Sequence, residues 1–167
     1  MTKIISINPL TREAFAPFGD VVEAASADSF PINNGTTERF HDLAKIDTSM
    51  EYGKTIVSIA RSQPFSLPLP IKMMERHPLG SQIFMPMSGN SFLVIVAPAN
   101  SDGLPGEPVG FLASGQQGIN YARNTWHHPM IALEAVSDFL VIDRGGEGNN
   151  LKEHFFEDKE YIVNDVA

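Results

Sequence analysis

The chain has 167 residues, 12 Lys and Arg against 20 Asp and Glu, a net charge of −8 and no cysteine. That charge weighs against a nucleic-acid backbone or an anionic membrane as partner, and the lack of cysteine excludes a disulfide frame and thiolate chemistry. Hydrophobic residues make up 43% and charged residues 19%, the balance of a globular chain long enough to bury a sizeable core.

No basic stretch leading into an apolar run opens the sequence. The longest apolar run, Phe92 to Pro98, is too short to span a membrane. A soluble cytoplasmic protein is therefore expected. Leu10 to Asp20 reads as one short helix, capped by Thr11 and ended by Pro17-Phe18-Gly19. After it the pattern is strand upon strand. Val21–Glu23, Arg39–Leu43, Thr55–Arg61, Ile71–His77, Gln82–Met87, Phe92–Ala97, Val109–Leu112, His128–Leu133 and Phe139–Asp143 are the candidates. Turn residues separate them at Leu67 to Pro70, Pro78-Leu79-Gly80, Ser88-Gly89-Asn90, Asp102 to Gly106 and Gly115 to Gly118. Many short strands at this spacing predict an all-β barrel or sandwich in a single domain over residues 1–167. The mixed, charged stretch from Asn149 to Ala167 reads as a surface tail.

Two polar clusters interrupt this strand sequence. In the first, strand parity groups Ile71, Met73, Glu75 and His77 on one face, with Gln82 across a tight hairpin from His77. In the second, Tyr121 to Pro129, His127 shares parity with Ile131 and Leu133, and Trp126 offers an apolar wall. An inward carboxylate or imidazole must be hydrogen-bonded, paired or bound to something. An internal hydrogen-bond network would satisfy that rule. A pocket holding an acid and a base for chemistry near neutral pH would satisfy it equally. Arg61 and Arg123 are candidates to grip a carboxylate, since a guanidinium does so with two parallel hydrogen bonds. Glu75, His77, Gln82 and His127 together also form a donor set of the kind that holds a first-row divalent ion. Nucleotide-binding glycine motifs, the HExxH motif and the GxSxG motif are absent, and no organic cofactor is indicated.

His77-x4-Gln82-x6-Gly89 resembles the first cupin motif, with Glu75 and Gln82 in place of its leading histidine and its glutamate. Asn124-x2-His127 resembles the end of the second motif, with Asn124 where cupins place glycine. Blocks from Leu10 to Lys152, above all Met74-Glu75-Arg76-His77-Pro78 and Trp126-His127-His128-Pro129, resemble the ureidoglycolate lyase family. The resemblance implies a cupin-like β-barrel or jelly roll with one short N-terminal helix. It implies a homodimer that cleaves (S)-ureidoglycolate to glyoxylate and urea in allantoin and purine breakdown. Nickel is the cofactor it suggests, although the ligand set neither requires nor excludes it. Glu75, His77 and His127 would then be catalytic, and Arg61, Gln82, Tyr121, Arg123 and Trp126 would contact the substrate. A metal-dependent cupin isomerase or dioxygenase, and a non-catalytic binder of small acids, remain the alternatives.

Overall fold

The computed structural model describes residues 1–157 and 160–166. In chain order its elements are β1 (Thr2–Ile4), β2 (Ile7–Pro9), α1 (Arg12–Phe15), β3 (Gly19–Val22), β4 (Ser29–Ile32), β5 (Thr37–Phe40), β6 (Lys54–Ser62), β7 (Leu69–Ile71), β8 (Met73–Arg76) and β9 (Gln82–Pro86). They continue with β10 (Phe92–Ala97), β11 (Val109–Ala113), β12 (Gly118–Tyr121), β13 (Trp126–His127), β14 (Ile131–Ala132), β15 (Ser137–Gly145), β16 (Lys152–Phe155) and β17 (Glu160–Val163). Among the described residues the chain is nearly all β, with one short α-helix. Thr11 caps that helix as expected, its Oγ1 accepting from Ala14 N at 3.2 Å.

A seven-stranded sheet runs β16-β8-β13-β10-β11-β2, with β14 also paired to β10. A five-stranded sheet runs β3-β12-β9-β15-β6. Between them lies the larger core: Phe92, Val94, Val96 and Phe111 from one sheet meet Ile119, Tyr121 and Phe139 from the other, with Phe15 and Phe18 closing one side. The opposite face of the seven-stranded sheet is buried too. Met74, Leu93, Ile95, Trp126 and Ile131 pack there against Ile71, Tyr161 and Val163 of the three-stranded sheet β1-β17-β7. This explains why Phe92–Ala97 is an unbroken apolar run: β10 is covered on both faces, and all its residues are buried.

The C-terminal stretch differs from the surface tail expected of it. It contributes β16 on β8 and β17 between β1 and β7, and Tyr161 and Val163 are core residues. Its charges sit at exposed positions of β16, which let a polar-looking segment supply an edge strand. The predicted strand Ile71–His77 is also two elements. β7 ends at Ile71 in the three-stranded sheet and β8 begins at Met73 in the seven-stranded one. The break at Lys72 resets the parity, so Ile71 and Met74 share a core while Glu75 faces the other way.

Candidate active site

Glu75 on β8 and His127 on β13 are direct cross-strand partners in the seven-stranded sheet, and both look into the space between the two large sheets. Glu75 Oε1 lies 3.5 Å from His127 Nε2 and 3.9 Å from His77 Nε2. The carboxylate oxygen and the two ring nitrogens all fall within 4.8 Å of one another. His127 is 2% exposed, and Glu75 and His77 are partly buried at the mouth.

The backbone sets the protonation pattern of both rings. His77 Nδ1 is 2.8 Å from the carbonyl oxygen of Asn150, and His127 Nδ1 is 2.8 Å from that of Thr125. A carbonyl only accepts, so each Nδ1 carries the hydrogen and each neutral ring turns a bare Nε2 lone pair inward. Both Nε2 atoms are buried and have no hydrogen-bond partner. Three acceptors thus converge with no donor between them, an arrangement that calls for a proton or a cation. Two imidazoles held by backbone carbonyls and one carboxylate fit a first-row divalent ion, because ligating histidines commonly donate their second nitrogen in this way.

The electrostatics set which of these groups carries charge. His127 beside it holds the Glu75 carboxyl below the ordinary carboxylate range, against the upward push of burial. Burial lowers the His77 pKa below the ordinary imidazole value, assisted by the neighbouring His127 and opposed by Asn150, Glu75 and Asp143. At neutral pH the site therefore holds an ionised Glu75 and a neutral His77.

From the opposite sheet, the Tyr121 ring lies flat on the His127 imidazole, 4.1 Å between centroids and 13° between planes. Burial raises the Tyr121 pKa, which keeps the phenol protonated. Gln82 pairs with Tyr121 in the β9–β12 register and so shares its inward face. Gln82 Nε2 donates to Asp143 Oδ2 at 3.0 Å, which leaves its Oε1 as the accepting end.

The remaining expected residues fall elsewhere. Arg123 lies on the loop after β12, where Nε is 3.4 Å from Asp47 Oδ2 and Nη1 donates toward Met50 Sδ at 3.3 Å. Arg61 instead forms a two-pronged pair with Asp138 on the surface, at 2.8 and 3.0 Å. Asp138 and Asp143 lie near opposite ends of β15, roughly 16 Å apart at strand rise, which separates Arg61 from the site. Trp126 precedes His127 on β13 and therefore points to the other face, into the second core. Its Nε1 donates to Gly103 O at 3.0 Å and Arg76 stacks on its ring.

Asp143 and Asn150 escaped sequence reasoning. Parity with the core residues Phe139 and Val141 marks Asp143 as inward, a signal present in the strand itself. Asn150 acts through its main-chain oxygen, which no side-chain motif announces. Asn124, standing where cupins carry glycine, adopts φ +67°, a left-handed angle that asparagine tolerates, and its N–H donates to His77 O at 3.0 Å.

In overall shape the chain is similar to a dTDP sugar isomerase from Desulfovibrio desulfuricans G20, with TM-score 0.47 and 12% identity, covering 83% of this chain and 85% of that one. Sequence similarity is far stronger. A protein named ureidoglycolate lyase from Chelativorans sp. (strain BNC1) is 59% identical over 156 residues, 93% of each chain. One of the same name from Brucella ovis is 54% identical over 159 residues, 95% of this chain and 94% of its own. Another from Pseudomonas aeruginosa (strain LESB58) is 51% identical over 163 residues, 98% of this chain and 96% of its own. The family profile described as ureidoglycolate lyase matches residues 2–164, so the chain belongs to the ureidoglycolate lyase family.

Proposed function

We propose that the chain is a carbon–nitrogen lyase that splits (S)-ureidoglycolate into glyoxylate and urea, a step of allantoin and purine breakdown. In this reading it works in the cytoplasm as a homodimer, with residues 1–167 as one catalytic unit. Among the described residues no helix is long and apolar enough to cross a membrane. The observation that carries the reading is the meeting of Glu75 Oε1 with the two unpartnered Nε2 atoms of His77 and His127.

The substrate is a carbinolamide, one carbon bearing a hydroxyl, a carboxylate and a ureido nitrogen. Its cleavage needs a base, an acid and an anion clamp, but no nucleophile and no redox centre. A bare Nε2, on His77 or His127, takes the hydroxyl proton. The electrons of the O–H bond become the new C=O bond as the C–N bond breaks. The imidazolium then returns its proton to the departing nitrogen, which leaves as urea. Glu75, kept ionised, serves as partner to the imidazolium rather than as the acid. Arg123 takes the substrate carboxylate in exchange for Asp47. Gln82 Oε1 and the Tyr121 phenol orient the ureido group. A positioned acid or base contributes ~10²–10⁴-fold.

Glu75 Oε1, His77 Nε2 and His127 Nε2 would also hold a divalent ion, with Gln82 Oε1 as a fourth donor, and nickel is the ion the family resemblance points to. A divalent ion there would supply Lewis acidity toward a substrate oxygen.

The test incubates purified protein, with and without prior EDTA, with fresh racemic ureidoglycolate and follows glyoxylate, urea and ammonia. Glyoxylate and urea in equal amounts above the spontaneous rate are expected. Ammonia in place of urea would make the protein an amidohydrolase, and an unchanged rate would end the lyase reading. Loss of turnover after EDTA, restored by nickel, would assign the three donors to a metal.

A further inference from the structure

Ile119 and Tyr121 of β12 face the core between the two large sheets, so Asn120 between them points to the outer side of the five-stranded sheet. The segment holding Lys45 and Asp47 crosses that side. Lys45 N donates to Asp20 Oδ2 at 3.0 Å, and Asp47 N donates to Ser81 Oγ at 2.8 Å. Asn120 beneath it is 1% exposed. Its Nδ2 donates to Asp20 Oδ2 and to Lys45 O, both at 2.9 Å. Both partners only accept, which fixes the orientation of the amide and leaves Oδ1 as its accepting end. That oxygen is buried and has no hydrogen-bond partner. A buried acceptor normally meets a donor. Asn120 lies in the wall of a cavity of about 380 Å³, together with Asp20, Lys45, Asp47, Ser81 and Arg123. The lining runs from buried Asn120 and Ser81 to Asp47 and Arg123, whose side chains are 39% and 38% exposed.

We propose that this cavity binds a small acid that carries N–H donors at the end opposite its carboxylate. The N–H end goes inward, to Asn120 Oδ1 and the Asp20 carboxylate, and the carboxylate goes outward, to the Arg123 guanidinium. The charges of the lining agree. Lys45 and Arg123 balance Asp20 and Asp47, which suits a ligand with one anionic and one donating end better than a bare anion or a bare cation. Arg123 has capacity for a carboxylate, because Asp47 meets its Nε through one long contact of 3.4 Å and not through a two-pronged grip. An ammonium acid and a ureido acid share the required chemistry. β12 separates this cavity from the Glu75 site, with Tyr121 serving the inner face and Asn120 the outer one. In the lyase reading Arg123 also takes the substrate carboxylate. One guanidinium grips one carboxylate at a time, so the two ligands exclude each other.

Titration of the whole isotope-labelled protein, followed through the side-chain amide of Asn120 by NMR, provides the test. Glycine and N-carbamoylglycine are the two acids. Acetate lacks the donor end and urea lacks the carboxylate, so these serve as controls. At least one acid should move the Asn120 amide resonances saturably, and neither control should do so at the same concentrations. A response to glycine alone identifies an ammonium ligand, and a response to N-carbamoylglycine alone a ureido one. Asp47→Asn removes the competing carboxylate from an exposed position and should tighten binding. Asn120→Ala should weaken it by about tenfold or more, as expected for a hydrogen bond to a charged group. Where Asn120→Ala fails to fold, Asp47→Asn and the wild-type amide still decide. Shifts confined to the rings of His77 and His127 would place the acid at Glu75 and overturn the cavity. So would an Asn120 amide that neither acid moves, or acetate acting as well as either acid. Binding that Asp47→Asn leaves unchanged would overturn the contact to Arg123. Failure of the wild type to release glyoxylate would strike the lyase reading and leave this site standing.

Discussion

The imidazole of His127 and the ring of Tyr121 lie face to face at 4.1 Å, joining the two large sheets where the polar site begins. Each ring is buried, and the stack fixes the plane in which His127 turns its Nε2 toward Glu75. Tyr121→Phe keeps this contact and removes only the hydroxyl. It should leave the melting temperature nearly unchanged and lower kcat/KM if the phenol orients substrate. Tyr121→Ala should cost about 3–5 kcal/mol in urea unfolding.

Removing either bare ring nitrogen tests the proton relay. The histidine that accepts the hydroxyl proton should lose ~10²–10⁴-fold in kcat as His→Ala. His77→Ala and His127→Ala, compared at saturating substrate, identify it. If both variants stay within a few-fold of wild type, neither ring is the base.

The two pKa displacements give the metal-free protein a one-sided pH dependence. His77 titrates below its ordinary value of 6.5 because burial disfavours its charged form. The unfolded chain therefore takes up that proton first as pH falls, and stability declines from about pH 6.5 downward. Glu75 titrates below 4.5 because His127 favours its carboxylate. Its contribution is complete above that value and is lost as pH falls through the folded pKa. Urea midpoints between pH 4 and 8 should thus rise with pH and flatten above neutrality. Glu75→Gln should remove the lower part of the slope and leave the upper part.

Arginine position separates the two anion-clamp candidates. Arg123 follows Tyr121 closely in the chain and is paired with Asp47, whereas Arg61 is engaged with Asp138 on the surface. Arg123→Gln should raise KM about tenfold to a hundredfold, the worth of a charge-assisted bond. Arg61→Gln should leave kcat/KM within about twofold, well inside the effect of losing such a bond. Steady-state kinetics on the two purified variants decide it, and the reverse ranking would move the clamp to β6.

Arg144 ties the Met50–Tyr52 turn to the segment after β15. It is 6% exposed, and its guanidinium donates to Met50 O at 2.9 Å, Glu51 O at 3.3 Å and Glu147 O at 2.8 Å. Those bonds hold Glu51 and Tyr52 at φ +50° and +60°, and Met50 in turn backs Arg123. Arg144→Ala should cost roughly 3 kcal/mol, which thermal melting would register as a drop of roughly 6–12 °C.

Much of the fold was legible because strands with one buried face alternate and turns are written in glycine and proline. Phe92–Ala97 and Gln82–Met87 fall within one residue of where the pattern puts them. Parity fails wherever the chain changes sheet or kinks. His127 and Ile131 read as one face, yet Val96 and Leu93, their partners on β10, lie in different cores. The irregular stretch around Pro129 flips the count. Trp126 leaves the site it was expected to enclose for a simpler reason: it neighbours His127 on one strand and so alternates to the other face. Of the site itself, Glu75, His77, His127, Gln82 and Tyr121 were visible as side chains in strands. The residues that aim them were not, because Asn150 and Thr125 act through main-chain oxygens.

Main-chain control of the two rings limits how the site can change. Neither imidazole takes its hydrogen placement from a neighbouring side chain, but the side chains of Asn150 and Thr125 anchor the two accepting carbonyls: Asn150 Oδ1 accepts from Leu79 N at 2.8 Å and Thr125 Oγ1 donates to Phe18 O at 3.0 Å. Shifting the chain by one residue between Gly146 and Asn150 would remove the carbonyl that His77 uses. Variation in this family should then be limited both in residue type at these two places and in loop length.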